Sequence, residues 1–433
     1  MRRLNVWLEA FADPIATLSA NDDGSTAFVY SDAYLGLPDA YPISLSLPLR
    51  EQPHGNLVTR PFFRNLLPEN DQLDQLVERE GLERSDVVGI LTHLGADLSG
   101  ALSCLPEDAP PVKTPGNFST DYDPIAEDDI RDIARRLGSN APLPDELRDP
   151  SPVAGYQRKV ALTVLPDGRY AIPKRDIGVP TTHILKVPDT ALPHEARYEV
   201  ICARLADHVG LDAAASQSLW LGQYQAVLSR RYDRQVDGDS IFRLHQEDFA
   251  QALGLPARLK YEREGQAGHR FDAPTIDALL RKTASPADAI DAFLRATIFN
   301  LAIGNTDNHA KNHSLIYDIG PVPRLAPLYD LVPITLSDRH NHRLSFSIGA
   351  ATLPQEVRSE DIAVLIGQFG LKGRAQRRFV EQRILPLLAP LAQAREPSGD
   401  EVANRLDRLI TTNCNRLLTL LDALEHIRAG YAP

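Results

Sequence analysis

Cysteine is scarce in this 433-residue chain: Cys104, Cys202 and Cys414 lie far apart and in no metal-ligand spacing. That pattern builds neither a disulfide framework nor a cysteine zinc site, and suits three small buried hydrophobes in a reduced compartment. Long apolar runs are missing as well. None approaches the ~18–20 residues that a membrane span requires. The opening Met1-Arg2-Arg3-Leu4-Asn5-Val6-Trp7-Leu8-Glu9 reads as a strand and not a signal peptide, because Glu9 and Asp13 interrupt any apolar region. Positive charge is in deficit. A formal charge of −12 argues against binding nucleic acid through the chain's overall field, although Arg230, Arg231 and Arg234 form one small basic cluster. Neither Gly-x4-Gly-Lys-Ser/Thr, nor Gly-x-Ser-x-Gly, nor a Cys/His hydrolase signature occurs. The expectation is a cytoplasmic protein without membrane contact.

What is present is ordinary globular composition, 43% hydrophobic and 24% charged, in a chain long enough for two or three domains. Short strands are expected at Val6–Leu8, Ile15–Leu18, Phe28–Tyr30 and Ile43–Leu47, with helices near Asp71–Glu80 and Asp86–Leu94. Pro106–Pro124, rich in Pro, Asp and Thr, reads as a linker. A helix near Ile125–Leu137 carries acids first and arginines after, which suits its dipole. Strands return at Val160–Leu165, Tyr170–Ile172 and His183–Val187, followed by a helix near His194–His208. From about Glu247 helices dominate, including one opened by Ser285-Pro286 and a long amphipathic one near Asp400–Arg428. The fold class expected is α+β and two-lobed, with a strand-rich N-terminal part and a helical C-terminal lobe. The expected divisions are residues 1–110, 111–235 and 236–433.

The chemistry concentrates in Gly304-Asn305-Thr306-Asp307-Asn308-His309-Ala310-Lys311-Asn312. Gly304 closes a helix where a left-handed residue is wanted. The loop presents Asp307 and Asn312, a strand follows at Ser314–Tyr317, and Leu325–Asp330 brings a second aspartate back. Asp-x4-Asn followed by a hairpin and another Asp is what phosphoryl transfer needs. One carboxylate accepts the proton of the attacking hydroxyl, while Asn312 and Asp330 hold Mg²⁺ against the phosphates. Asp-x4-Asn alone reads more readily as turns and caps; Asp330 and the upstream elements reverse that balance. Upstream, Val153–Lys159 is a small-residue loop entering a strand, which lets backbone N–H groups approach phosphates, though one Gly155 also makes a plain turn. Lys186 ends an apolar strand, where either a phosphate or snorkelling to solvent accounts for it, and Glu199 on the next helix is placed to orient it.

Along nearly its whole length the chain resembles the HipA family of bacterial toxin serine/threonine kinases. The resemblance is carried by Pro42–Leu49, Phe62–Glu69 and Gly95–Ala101, then Ala154–Lys159, Thr182–Lys186, Arg231–Arg234, His245–Phe249, Asp307–Asn312 and Leu325–Asp330, in that order. It implies a protein-kinase-like fold, ATP and Mg²⁺ as cofactors, Asp307 as catalytic base, and Asn312 and Asp330 as magnesium ligands. It also implies Lys186 as the phosphate-binding lysine, Ala154, Gly155, Tyr156, Gln157, Arg158 and Lys159 as the phosphate loop, and Arg230, Arg231 and Tyr232 as the adenine-side hinge. His309, Ala310, Lys311 and Tyr329 flank the nucleotide in that likeness. The partner implied is a helix-turn-helix antitoxin of HipB type, with DNA reached only through it, and the substrate implied is a translation factor such as an aminoacyl-tRNA synthetase. One departure concerns regulation: Pro152 stands where the family often has an autophosphorylated serine, and Ser151 lies one residue earlier. Two other functions share some of these features, a small-molecule phosphotransferase and a catalytically silent corepressor. The N-terminal resemblance argues against the first and the intact Asp307, Asn312, Asp330 and Lys186 against the second.

Overall fold

The computed structural model describes residues 2–67, 71–96, 98–139, 141, 143, 159–175, 177–188, 194–318, 320–396 and 398–429. The chain forms two compact units, each discontinuous in sequence. The first comprises residues 1–196, 217–257 and 314–324, the second residues 197–216, 258–313 and 325–433. Among the described residues no helix is long and apolar enough to cross a membrane.

The first unit opens with an antiparallel sheet in the order Thr26–Tyr30, Ala16–Ala20, Arg2–Leu8, Leu102–Pro106. The alternation of Arg2–Leu8 buries Leu4, Val6 and Leu8 on one face, and Val6 stands opposite both Ala16 and Cys104. Phe62 and Phe63, on a helix Asn56–Asn65 that the sequence pattern did not reveal, pack in this core with Phe28, Ile90 and Leu91. A second, antiparallel sheet runs Ser216–Leu221, Tyr224–Arg230, His183–Lys186, Lys159–Val164, Tyr170–Pro173, Tyr122–Pro124. Helix Glu127–Ser139 covers it by placing Ile130, Ile133, Ala134 and Leu137 against Val160, Leu162, Leu185 and Leu228.

Two local readings are corrected. Pro106–Pro124 is no free linker: Tyr122–Pro124 pairs with Tyr170–Pro173, and Gly116–Asn117 pairs with Ser240–Arg243. Ile43–Leu47 is a tight turn and not a strand, with a single bridge between Ser44 and Leu47. Its backbone groups are satisfied by side chains distant in sequence. The Tyr30 hydroxyl accepts from Ile43 N (2.9 Å) and donates to Leu47 O (2.7 Å), and His245 Nε2 donates to Ile43 O (2.7 Å). Glu247 Oε1 accepts both Leu45 N (3.0 Å) and the Tyr317 hydroxyl (2.7 Å).

Glu247 is wholly buried, and burial pushes its carboxyl up from 4.5 to about 7. A raised acid stabilises the fold fully below 4.5, and that contribution is lost as pH rises through about 7. Glu247→Gln keeps the oxygen that accepts both donors and removes the titration. Denaturant unfolding from about pH 5 to about pH 8 should show the variant gaining on the parent, by on the order of 2–3 kcal/mol at the upper end. Parallel pH responses of the two proteins would show that Glu247 is not the titrating group.

Candidate active site

In the second unit, helix Pro286–Ile303 is buried along most of its C-terminal half. It ends at Gly304 with φ +76°, and a side chain there would put its Cβ 2.1 Å from Thr335 Oγ1. Glycine is required twice, by conformation and by space. Asn305 then caps the helix end: its N donates to Asn300 O (2.8 Å), and its Nδ2 to Asn300 Oδ1 (3.0 Å). Asn305 Oδ1 in turn accepts from Asp307 N (3.1 Å). Past Asp307 the chain makes a 3₁₀ turn, Ala310–Asn312, in which Asn312 Nδ2 donates back to Asp307 O (2.8 Å). His313 Nε2 donates to Asn308 O (3.2 Å), its ring buried beside Phe271 and Phe293. The loop carrying Asp307 is thus held through its backbone by the side chains of Asn305, Asn312 and His313, none of which occupies the Asp307 carboxylate.

Segment 325–330 is fixed to the same loop. Tyr329 donates its hydroxyl to Lys311 O (2.8 Å), while Leu328 N donates to Asp212 O and Leu328 O accepts from Ala214 N, both at 2.8 Å. Asp330 follows at φ +58°, the only positive φ outside glycine among the described residues. Aspartate is one of the few residues that visits this region at modest strain, and such strain collects at functional sites.

Burial, reinforced by the charge of Asp330, raises the Asp307 carboxyl above its usual range; the Tyr261 hydroxyl, donating to Asp307 Oδ1 at 2.6 Å, acts the other way, as do Lys260 and His340. His309 is buried and pushed down to about 3, so its ring is neutral, and it meets the Tyr261 ring edge-on (5.1 Å between centroids). Tyr261 and Lys260 were not singled out from the sequence, because they stand apart from every motif and no spacing marks them. Asn312 spends its amide nitrogen on Asp307 O and so retains Oδ1 as an acceptor. With the Asp330 carboxylate this is an all-oxygen donor set that suits Mg²⁺, and a dication also offsets the repulsion between Asp330 and Asp307.

In the first unit, the register places Lys159 directly opposite Lys186, with Val227 on the other flank of Lys186. Facing residues of an antiparallel pair lie on one side of the sheet, so the two ammonium-bearing side chains leave it on the same face. Arg230 pairs with His183 and is exposed. Arg231 turns inward instead. Its guanidinium binds the Asp233 carboxylate (3.0 Å) in a buried cluster with Arg234, and the two arginines hold that carboxyl well below the usual range against the cost of burial. The Tyr232 hydroxyl donates to Gln246 Oε1. Glu199, of the second unit, is buried on helix Glu195–His208. Ser151 and Pro152, with Ala154, Gly155, Tyr156, Gln157 and Arg158, lie outside the described residues.

The family described as the HipA N-terminal domain matches residues 4–105, and that described as the HipA-like C-terminal domain matches residues 151–385. Y4mE of Sinorhizobium fredii is 33% identical over 401 residues, which are 92% of this chain and 93% of that protein. The serine/threonine-protein kinase toxin HipA of Shewanella oneidensis is 28% identical over 409 residues, 89% and 90% of the two chains. A solved structure of the Shewanella oneidensis toxin–antitoxin complex of HipA, HipB and operator DNA shares the fold, with a TM-score of 0.77 at 24% identity over 97% of this chain and 99% of that one.

The left-handed backbone at residue 330 has a measurable consequence. Asp330→Val sets a β-branched residue at a positive φ and should cost ~1–2 kcal/mol, whereas Asp330→Asn, which tolerates that region, should melt within about 2 °C of the parent. Equal melting temperatures for the two variants would remove the strain from residue 330.

Proposed function

The chain belongs to the HipA family of kinases, and from that premise we propose that it transfers the γ-phosphate of ATP to a serine or threonine hydroxyl of a protein. The observation that carries this reading is the Asp307 carboxylate, fixed on a rigid loop in the same unit as Asn312 and the strained Asp330. Asp307 accepts the proton of the attacking hydroxyl as its oxygen bonds to the γ-phosphorus and the bond to ADP breaks. Asn312 and Asp330 would hold Mg²⁺, which supplies charge stabilisation for the phosphates when bound. Lys186 and Lys159 neutralise phosphate charge, with Ala154–Arg158 as the loop that approaches it; Glu199 orients Lys186. Arg230, Arg231 and Tyr232 form the adenine side, and His309, Ala310, Lys311 and Tyr329 flank the nucleotide.

The biological role proposed is that of the cytoplasmic toxin of a toxin–antitoxin pair. The Shewanella oneidensis HipA structure holds HipB and operator DNA, which supports a helix-turn-helix antitoxin of HipB type as partner here. Given a formal charge of −12, DNA would be met through that antitoxin. The substrate proposed is a translation factor, an aminoacyl-tRNA synthetase being the candidate. The HipA N-terminal domain at residues 4–105 speaks against a small-molecule phosphotransferase.

Incubating the protein with radiolabelled ATP, Mg²⁺ and a bacterial lysate should label discrete protein bands. Asp307→Ala should abolish the label at an unchanged melting temperature, since a general base contributes ~10²–10⁴-fold. Asp330→Asn should weaken Mg-ATP binding or turnover at least ~10-fold. Labelling at the parental rate by a folded Asp307→Ala protein would sink the assignment. Ser151 is the proposed self-phosphorylation position, where a phosphate of roughly −1.5 to −2 charges would lower ATP affinity. Mass spectrometry should find it in the parent and not in Asp307→Ala; an unmodified Ser151 after full exposure to ATP removes that switch.

A further inference from the structure

Tyr261 belongs to no motif, yet it makes a direct side-chain hydrogen bond to Asp307, its hydroxyl 2.6 Å from Oδ1. Its backbone is pinned on both sides. Lys260 O accepts from Ala310 N (3.0 Å), inside the loop that carries Asp307, and Glu262 N donates to Ser345 O (2.9 Å). Ser345 Oγ donates in turn to Thr306 O (2.8 Å), one residue before Asp307. The ring is held as firmly as the backbone: His309 meets it edge-on at 5.1 Å, and the Arg263 guanidinium lies 4.0 Å from its centroid. Burial keeps the Tyr261 phenol well above its usual pKa, so it is a hydrogen-bond donor throughout the working range. A hydrogen bond to a carboxylate is about twice as strong as a neutral one. This one fixes a side chain whose backbone is already fixed.

We propose that Tyr261 is a positioning residue for phosphoryl transfer: by occupying Asp307 Oδ1 it holds the carboxylate in one rotamer and reserves Oδ2 for the proton of the incoming hydroxyl. The proposal rests on the reading of Asp307 as the base. Without the phenol, the carboxylate rotates between its two oxygens and is correctly aimed for a smaller share of encounters. The loss then falls on turnover and not on nucleotide binding, because none of the proposed magnesium ligands touches Tyr261 among its hydrogen bonds and ring contacts given above. A tyrosine that merely filled space would show its removal as a loss of stability.

The test is a double-mutant cycle on the full chain with Mg-ATP and the labelled substrate. Tyr261→Phe keeps the ring and its packing, and should lower kcat roughly tenfold, with KM for Mg-ATP within about twofold and a melting temperature lower by only the few degrees that one lost hydrogen bond costs. Adding Tyr261→Phe to Asp307→Asn should slow that protein no further, since a residue acting only through Asp307 has nothing left to position. A parental chain that transfers no phosphate overturns the kinase reading and this one with it. An active parent and an impaired Asp307→Asn, beside a Tyr261→Phe protein at the parental kcat, overturn the role of Tyr261 alone. Independent, multiplying losses in the double variant do the same, and so does phosphate on Tyr261 itself after exposure to ATP, which would make it an acceptor.

Discussion

The candidate site hangs from the C-terminus of one buried helix. Helix Pro286–Ile303 cannot shift within the second unit without disturbing Phe293, Leu294 and Ile298–Ile303, all buried. Its last carbonyls need partners, and Gly304 and Asn305 supply them. The two oxygens of Asn300, backbone and side chain, take both Asn305 donors, so Asn305 Oδ1 is left facing Asp307 N. The residue that caps the helix thereby sets the backbone of the proposed base. Rigidity passes from a hydrophobic core to the backbone of the proposed base through three asparagine-mediated hydrogen bonds, each individually worth only ~1 kcal/mol. Their value lies in what they hold in place.

Stability is surrendered at this site in two forms. Asp330 sits in left-handed backbone, and Asp307 keeps a half-buried carboxyl near another negative charge. Neither would persist in a protein selected for stability alone. In the proposed reaction a nucleotide-bound dication and a hydroxyl would offset the electrostatic cost, and both features sit where that proposal needs them. The Arg231–Asp233–Arg234 cluster is the instructive contrast: it too is buried and charged, but each charge has a partner within 3.0 Å and the backbone is unstrained.

What could be read from the sequence was what local chemistry determines. Gly304 after an apolar helix, the alternation in Arg2–Leu8 and the periodicity of Glu401–Ala429 depend on residues within a turn or two of each other, and each emerges as expected. Ile43–Leu47 alternates as well, yet no strand forms. Tyr30, His245, Glu247 and Gln251 satisfy its polar groups from up to about two hundred residues away, and no window along the chain contains them. Tyr261 escaped for the same reason. It lies 46 residues before Asp307, and only the folded chain puts phenol and carboxylate together. The inward turn of Arg231 was equally illegible, because a cluster of arginines in sequence does not say which guanidinium has an aspartate waiting.

The turn at Ile43–Leu47 is also where the amino-terminal segment is tied into the rest of the first unit. Within the first unit, strand His245–Asp248 pairs with Ser314–Tyr317, with Glu247 opposite Leu315 and His245 opposite Tyr317. From that strand pair His245 and Glu247 grip the turn at Ile43–Leu45, and the Tyr317 ring stacks on Tyr41 at 5.5 Å. Within this unit the four-residue strand is thus tied to the amino-terminal core through Tyr317. Glu247 joins these contacts through a single oxygen, accepting from Leu45 N and the Tyr317 hydroxyl at once. A buried carboxyl with two donors on one atom tolerates little displacement of either, so the amino-terminal turn and strand Ser314–Tyr317 are held to one geometry within the first unit.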